Sequence, residues 1–585
     1  MGLDTIATAL DRAARALYGA DAPVEVGFEV PRNRDFGDYA TNVAFKLAKT
    51  ARKAPQAIAT EIAERALHED GALHDVVAEV QPVGGFINIR MQPAYWQAVV
   101  AEILRSGLDY GRGAPTGKRI SLEFGSANPT GPLLVVQGRA LSVGSTLANA
   151  LRFTGNDVVT DWYINDAGSQ LDALVRSLYA RWRQLRDVNY PFPEDGYPAE
   201  YVRELAKDLD AVPEGNRNPD DPAFLEKFAY ERTIAAQRAT ARRFGVDFIF
   251  QSERVLHGAG LVDAIVQLLQ DEGLTERDGE AIALSPELDP DEDKARILRR
   301  SDGRPTYFAA DIPYHFAKFR HASHLIDVLG PDHHGYVARV RAMAEIWRRL
   351  YGKPAFMQLL ERIDALKLEG PTRWADRDVS VEVLIVQLVS LVRGGVVTTM
   401  SKREGNIIEL DEILDEVGVD AARFFFIMLA PESPLTFDLE LAVKQSNENP
   451  VYYVQYGHAR ISSLIAHARS NPDTAGFVER AERAEHLGKL THPAELALAR
   501  RLSEWPNLVS DAARLLAPHH LTTYAREVAS EFHQFYTACT VVDRSDAATS
   551  IARLALSMAA RSVLSSVLSI CGVTAPDFME RRPAS

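Results

Sequence analysis

The sequence predicts a multidomain chain of the α/β-plus-α kind. It would comprise an N-terminal α+β domain over residues 1–112, a doubly wound parallel-sheet (Rossmann-like) domain with insertions over 113–440, and a C-terminal α-helical bundle over 441–585. Three observations predict this. Residues 120–151 read as strand, tight turn and helix; a second strand and helix follow through residue 186; and from residue 441 the apolar periodicity is helical throughout. Length agrees, because at ~150 residues per domain a chain of 585 residues should hold three or four units.

Composition narrows the class. Hydrophobic residues make up 46% and charged residues 25%, as in an ordinary globular protein. No run approaches the ~18 apolar residues that would span a bilayer, and the start, Met1-Gly-Leu-Asp-Thr-Ile6, lacks a signal-peptide core, so a cytoplasmic protein without a membrane partner is expected. Cys539 and Cys571 both fall inside apolar helical patterns, which leaves no disulfide framework or cysteine metal site to build. A net charge of -15 argues against a protein that coats nucleic acid, but not against a local basic face.

The first domain opens with an amphipathic helix carrying Ile6, Leu10, Ala13, Ala14 and Leu17. Gly37 and Asp38 punctuate the chain before a second helix, and Val83-Gly-Gly-Phe-Ile-Asn-Ile-Arg90 reads as a turn and a half-buried strand. The Gly-rich stretch 105–118 reads as a linker.

The central domain starts with the run Ile120 to Phe124, closed by Gly125. Leu133, Gln137, Ala140, Leu141, Gly144, Ala148 and Leu151 then recur at helical spacing. Pro129 and Pro132 restrict the backbone and Gly131 allows a close approach, so the helix is expected to start near Pro132. A helix N-terminus directly after a strand offers free N–H groups to an anion, the arrangement of a nucleotide seat. Asp157 to Ile164 supplies the next strand, and Asn165 to Gln170 leads into a helix carrying Arg176, Arg181, Arg183 and Arg186. Residues 186–222 are rich in Pro, Asp and Asn and read as loop. The second half of the sheet is expected at 301–315 and 324–330. Asp332, His333 and His334 follow it at a strand's C-terminal end, where such sheets bind ligands. Adjacent residues on a helix do not share a face, so these three are not expected to hold a metal.

Two stretches carry a resemblance. Asn128-Pro-Thr-Gly-Pro-Leu is similar to the run that opens the signature of class I aminoacyl-tRNA synthetases, and its wording resembles the arginyl-tRNA synthetases. Where that family typically has His-Val-Gly-His, this chain has Leu134, Val135, Val136 and Gln137. Val397-Thr-Thr-Met-Ser-Lys-Arg-Glu-Gly-Asn406 resembles the class I Lys-Met-Ser-Lys-Ser loop, with Thr399 in place of the first lysine and Lys402 as the second. Further resemblance lies in Tyr163 to Gln170, in Asp332-His-His-Gly335, in the Phe-Gly-Asp-Tyr-Ala and Gly-Phe-Ile-Asn runs of the first domain, and in the helical C-terminal third.

The resemblance implies ATP-dependent attachment of L-arginine to tRNA(Arg), through an arginyl-adenylate, with pyrophosphate and AMP released. ATP is a substrate, Mg2+ arrives with it, and no dedicated protein metal site is expected. Lys402, Gln137 and Ser401 would carry catalysis, by charge stabilisation and positioning alone. Glu123, Asn128, Tyr307 and Asp311 would bind arginine, since carboxylates match a planar guanidinium fork. Pro129, Thr130, Gly131, Pro132, Leu134, Gln137, Asp332, His333, Met400, Ser401 and Lys402 would bind ATP. Arg32 and Arg34 in the first domain, and Arg460, Tyr524, Tyr536 and Met579 in the last, would meet tRNA. The chain is expected to act as a monomer. A synthetase-like protein that holds tRNA or arginine without charging it stays open as the second reading, because the signature histidines are absent.

Overall fold

The computed structural model describes residues 2–22, 24–31, 33–69, 71–167, 169–288, 296–332, 337–398 and 408–580. The chain forms two compact units. One joins residues 1–110 to 457–505 and 527–564, and the other joins 111–456 to 506–526 and 565–585.

The larger unit is built on a five-stranded sheet. In chain order its strands are β1 (Arg119–Phe124), β2 (Asp157–Ile164), β3 (Ile249–Ser252), β4 (His324–Leu329) and β5 (Ser380–Ile385). Every pairing is parallel, and the spatial order is β5-β4-β1-β2-β3. The order reverses between β1 and β4, so their C-terminal ends open the crevice in which a doubly wound sheet takes its ligand.

Helix α1 (Val135–Phe153) follows β1, α2 (Ser169–Gln184) follows β2, α3 (Pro222–Arg243) precedes β3, and α4 (Tyr307–Phe319) precedes β4. Helix α1 lies close to the sheet because Gly144 has no side chain: a Cβ there would stand 2.1 Å from the Phe124 ring. It starts at Val135, three residues beyond the expected Pro132, because Leu134 is still extended at ψ 168°. The stretch 301–315 contributes no strand to this sheet, since from Tyr307 it is helical with Phe308, Ala309, Ile312 and Phe316 buried.

The expected loop 186–222 contains a further helix, Glu200–Ala211. Val202, Ala206 and Leu209 fall on one face and pack against Leu171, Leu174 and Leu178 of α2 and Leu225 and Ala229 of α3. That short stripe is masked in the sequence by the Pro- and Asp-rich segments on either side.

In the smaller unit, Val77–Val83 and Phe86–Met91 form an antiparallel hairpin through Gly84 and Gly85, both with positive φ, and Tyr39–Thr41 pairs on the other side of Phe86–Met91. Helix Gly2–Tyr18 buries Ile6, Leu10, Ala13 and Ala14, as its periodicity predicts. Asp38 closes the unit's core: its carboxylate accepts from the N–H of Met91 at 2.7 Å and pairs with Arg500 at 2.6 Å.

Helix Ala547–Cys571 corrects one expectation. Its 25 residues are long and apolar enough to cross a membrane, yet 78% of the apolar window is buried within the protein, as in a core helix.

Candidate functional site

The turn after β1 is built by side chains that hold its backbone. Gly125 sits at φ +76°, and a Cβ there would press to 2.9 Å on Leu141. The Ser126 hydroxyl donates to Glu123 Oε1 at 2.8 Å and accepts from the Tyr163 N–H at 3.0 Å, tying the turn to β1 and β2. Gln237, 1% exposed, donates through one Nε2 to the carbonyls of Asn128 (2.9 Å) and Gly131 (2.8 Å), while the Tyr201 hydroxyl donates to the Thr130 carbonyl at 2.6 Å. At the start of α1, Gln137 Oε1 accepts from the Leu134 N–H at 3.0 Å. Gln137 thus uses its oxygen as a helix cap and keeps its amide N–H groups for a ligand.

These restraints shape a cleft of about 1070 Å³. Of the residues expected to contact ATP or arginine, Asn128, Thr130, Gly131, Pro132, Leu134, Gln137 and Asp332 all line it. Pro129, Glu123, Tyr307 and Asp311 are not among its lining residues, and Pro129 is buried. Asn165, Gln170, Arg176, Asp195 and Tyr201 are among its other lining residues. Arg139, on α1, is wholly buried and donates to the carbonyls of Gln387 (3.0 Å) and Ala430 (3.0 Å).

Beneath the turn lies a buried ionic cluster. Lys318 Nζ is 2.9 Å from Glu123 Oε2 and 2.5 Å from Asp327 Oδ1, and Tyr314 donates to Glu123 Oε2 at 2.7 Å. His315 stands 3.1 Å from the other oxygen of Asp327. Burial opposes charge on Lys318, but Asp327 and Glu123 outweigh it and raise the ammonium above its ordinary range. Burial would likewise raise Asp327, yet Lys318 and His315 hold its carboxyl well below the usual carboxylate range. Glu123 is therefore largely engaged by the chain's own donors, with three hydrogen bonds against about four acceptor positions on a carboxylate.

Two further carboxylates are Asp311 and Glu253, the latter 3.7 Å from His257 Nε2. Burial pushes Asp311 up to about 6, opposed by His315 and helped by Glu123. Burial pushes Glu253, 8% exposed, up to about 7; the Ala167 N–H pulls it back, and the charges of Asp311 and Asp166 push it further. Beside them the Tyr163 hydroxyl is buried with no hydrogen-bond partner among the described residues, and its ring stacks on Tyr314 at 4.0 Å. Burial, helped by the charges of Glu253, Asp311, Glu123 and Asp166, raises the Tyr163 phenol well above its ordinary range. Two desolvated acids and an unpartnered hydroxyl thus lie near one another. Glu253 escaped the sequence reading because it looks like an ordinary acid in a helix's first turn, after the Ser252 N-cap. Its position at the C-terminal end of β3 would have been the signal.

Tyr307 lies one helical turn before Asp311 on α4 and is 72% exposed. His333, Met400, Ser401, Lys402 and Arg32 lie outside the described residues. The chain after residues 399–407 returns to the signature turn: the Leu410 N–H donates to the Leu133 carbonyl at 2.8 Å, and Glu409 forms an antiparallel bridge with Leu134.

Of the residues expected to meet tRNA, Arg34 pairs with Glu504 at 3.1 Å. The Arg460 guanidinium lies over the half-buried Tyr536 ring, 4.2 Å from its centroid. Met579 is half-buried. Tyr524 is 0% exposed and is a core residue, which corrects its assignment to RNA contact. Along an amphipathic helix an aromatic side chain packs inward unless something holds it out.

Residues 4–91 match the family of the arginyl tRNA synthetase N terminal domain, and residues 454–579 match the DALR anticodon binding domain. The chain is 38% identical over 589 residues to the arginine–tRNA ligase of Heliobacterium modesticaldum, with 97% of each chain covered. It is 40% identical over 591 residues to that of Carboxydothermus hydrogenoformans, with 98% of each covered. Among solved structures, the arginyl-tRNA synthetase of Thermus thermophilus superposes with a TM-score of 0.71 at 22% identity, over 98% of this chain and 99% of that one, a likeness of fold.

Proposed function

The chain belongs to the arginyl-tRNA synthetase family and is an arginine–tRNA ligase, and on that premise we propose how its own residues perform the reaction. The observation that carries the assignment is the pair of desolvated acids, Asp311 and Glu253, beside the unpartnered Tyr163 hydroxyl. Ionised together they accept the planar guanidinium of arginine through charge-assisted hydrogen bonds that a citrulline side chain cannot return. Glu123, with one acceptor position to spare, and Asn128 orient the amino acid's ammonium and carboxylate, and Tyr307 closes over the side chain.

ATP lies along the cleft at Thr130, Gly131, Pro132, Leu134, Gln137 and Asp332, its phosphates toward the free N–H groups at the start of α1. The resemblance adds His333, Met400, Ser401 and Lys402 to the residues that would bind ATP. Mg2+ accompanies ATP and adds positive charge to its phosphates. The arginine carboxylate attacks the α-phosphorus, a C–O–P linkage forms, and the bond to pyrophosphate breaks. Lys402, Ser401 and the Gln137 amide stabilise charge on the departing group. The 2′-hydroxyl of the tRNA's terminal adenosine then attacks the arginyl carbonyl and AMP leaves.

The division into 1–112, 113–440 and 441–585 gives the first part contact with the tRNA body through Arg32 and Arg34. The last part reads the anticodon through Arg460, Tyr536 and Met579. A monomeric, cytoplasmic enzyme fits this scheme. Arginine-dependent ATP–pyrophosphate exchange by the purified protein, with and without tRNA(Arg), tests it. Exchange that requires tRNA supports the scheme, and absence of exchange beside measurable tRNA binding overturns it in favour of a protein that binds without charging.

A further inference from the structure

Tyr163 is the last residue but one of β2, and its backbone and ring are fixed while its hydroxyl is not. The backbone N–H donates to the Ser126 hydroxyl at 3.0 Å, and the ring stacks on Tyr314, which is itself tied to Glu123 at 2.7 Å. The residue is 8% exposed, and its phenolic oxygen has no hydrogen-bond partner among the described residues. A buried hydroxyl left unpaired lowers stability, and phenylalanine would fill the same place without that cost. Packing alone therefore does not account for the oxygen.

The carboxylates whose charge reaches this hydroxyl are Glu253, Asp311, Glu123 and Asp166. Glu123 accepts from Ser126, Tyr314 and Lys318, and Asp166 accepts from the Ser252 hydroxyl at 2.6 Å and the Arg254 N–H at 2.8 Å. Asp311 and Glu253 are the pair proposed above to take the guanidinium. An ionised carboxylate only accepts hydrogen bonds, so these acids offer nothing to the lone pairs of the phenol oxygen. A guanidinium does, because it carries five N–H groups in one plane. Two carboxylates that each take a pair of those groups leave one over. We propose that Tyr163 is a specificity-determining residue for arginine, its Oη accepting the guanidinium N–H that the two acids leave over. This rests on the reading of Asp311 and Glu253 as the acids of the arginine site, and it adds to them a neutral acceptor that completes the fork.

Tyr163→Phe tests this, since it removes one oxygen and keeps the ring on Tyr314. The urea midpoint of the free protein should hold or rise, because the lost oxygen had no partner to lose. Calorimetric titration should show arginine binding about 10- to 100-fold weaker, the effect of one hydrogen bond to a charged group. Agmatine, which keeps the guanidinium and lacks the carboxylate, should weaken by the same factor, and the KM for ATP should stay where it was. A lower urea midpoint with arginine affinity unchanged would make the hydroxyl structural and overturn the proposal. So would a loss seen with arginine and not with agmatine, which would put the contact at the amino-acid end. Failure of the unaltered protein to bind arginine would sink the reading of the two acids and this inference with it. Equal arginine affinity in the unaltered protein and in Tyr163→Phe would sink the inference alone.

Discussion

Lys318 donates to Glu123 across 2.9 Å from the helix before β4 to the end of β1, with the lysine side chain wholly out of solvent. Through its second partner, Asp327 on β4, Lys318 also ties together the two strands between which the sheet order reverses. Replacing Lys318 by Met leaves Glu123 and Asp327 buried with no ammonium between them. Loss of one partner from such a cluster costs about 3–5 kcal/mol. Urea unfolding should show that drop, and Lys318→Met combined with Asp327→Asn should recover most of it. A loss below about 1 kcal/mol would mean that the carboxylates find other donors.

Glu253→Gln removes one of the two acids proposed to grip the guanidinium and keeps the side chain's shape. With one charge-assisted hydrogen bond lost, kcat/KM for arginine should fall about 10- to 100-fold and the KM for ATP should hold steady. Asp311→Asn should behave alike, and the two losses should not add, since either acid alone leaves the cation half-held. Equal damage to the ATP and arginine terms would place Glu253 in the scaffold.

The acids also set a pH dependence. Burial lifts Glu253 to about 7 and Asp311 to about 6, from ordinary values of 4.5 and 3.8. A guanidinium needs them ionised, so kcat/KM for arginine should rise as pH climbs through about 6 to 7 and level off above about 8. Stability moves the other way. Folded, these groups hold protons that the unfolded chain releases, so their contribution is complete below about 4 and is lost as pH rises through their folded values. Thermal melts between pH 5 and pH 8 should show this loss without arginine and a smaller loss with saturating arginine. A flat arginine profile over that range would remove both groups from the binding site.

What could be read from the sequence was what local spacing decides. The turn after Phe124 and the small residues of α1 lie within one strand–turn–helix, and only the exact helix start, capped by Gln137, had to come from the structure. Glu253 was invisible because its place depends on β3 pairing with β2, more than 80 residues earlier in the chain. Glu123 could be seen as a strand-end acid, but its engagement by Lys318 spans 195 positions. Tyr524 was misplaced for a different reason: helical periodicity marks a face, and only packing tells which face turns inward.

Gly144 offers a check on the close packing that brings α1 to the cleft. A methyl group there would overlap Phe124, whose ring is fully buried in the sheet and cannot swing aside. Gly144→Ala should cost about 1–3 kcal/mol despite the better helix propensity of alanine. Pairing it with Phe124→Leu should recover part of that loss, measured by the urea midpoint at unchanged m-value. If Gly144→Ala stabilises the protein, the helix is free to ride away from the strand.

Gln237 controls the turn without lining the cleft. Its single amide nitrogen bridges the carbonyls of Asn128 and Gly131, which fixes the spacing of the backbone on which ATP is proposed to lie. Gln237→Leu fills the same volume but leaves two carbonyls without their donor, at a cost of about 1–3 kcal/mol in stability. A turn held loosely by an ångström loses near-attack geometry, so kcat should fall about 10- to 100-fold. Because the hydrogen bonds of Gln237 go to backbone carbonyls of the turn, KM for arginine should change less than kcat/KM for ATP. Gln237→Glu separates positioning from packing: its carboxylate can accept but not donate, and it faces two carbonyl oxygens. That variant should open the turn further than leucine does and lower kcat/KM for ATP below the Gln237→Leu value. If glutamate and leucine prove equal to the native glutamine in the ATP term, the turn is held by Tyr201 alone through Thr130.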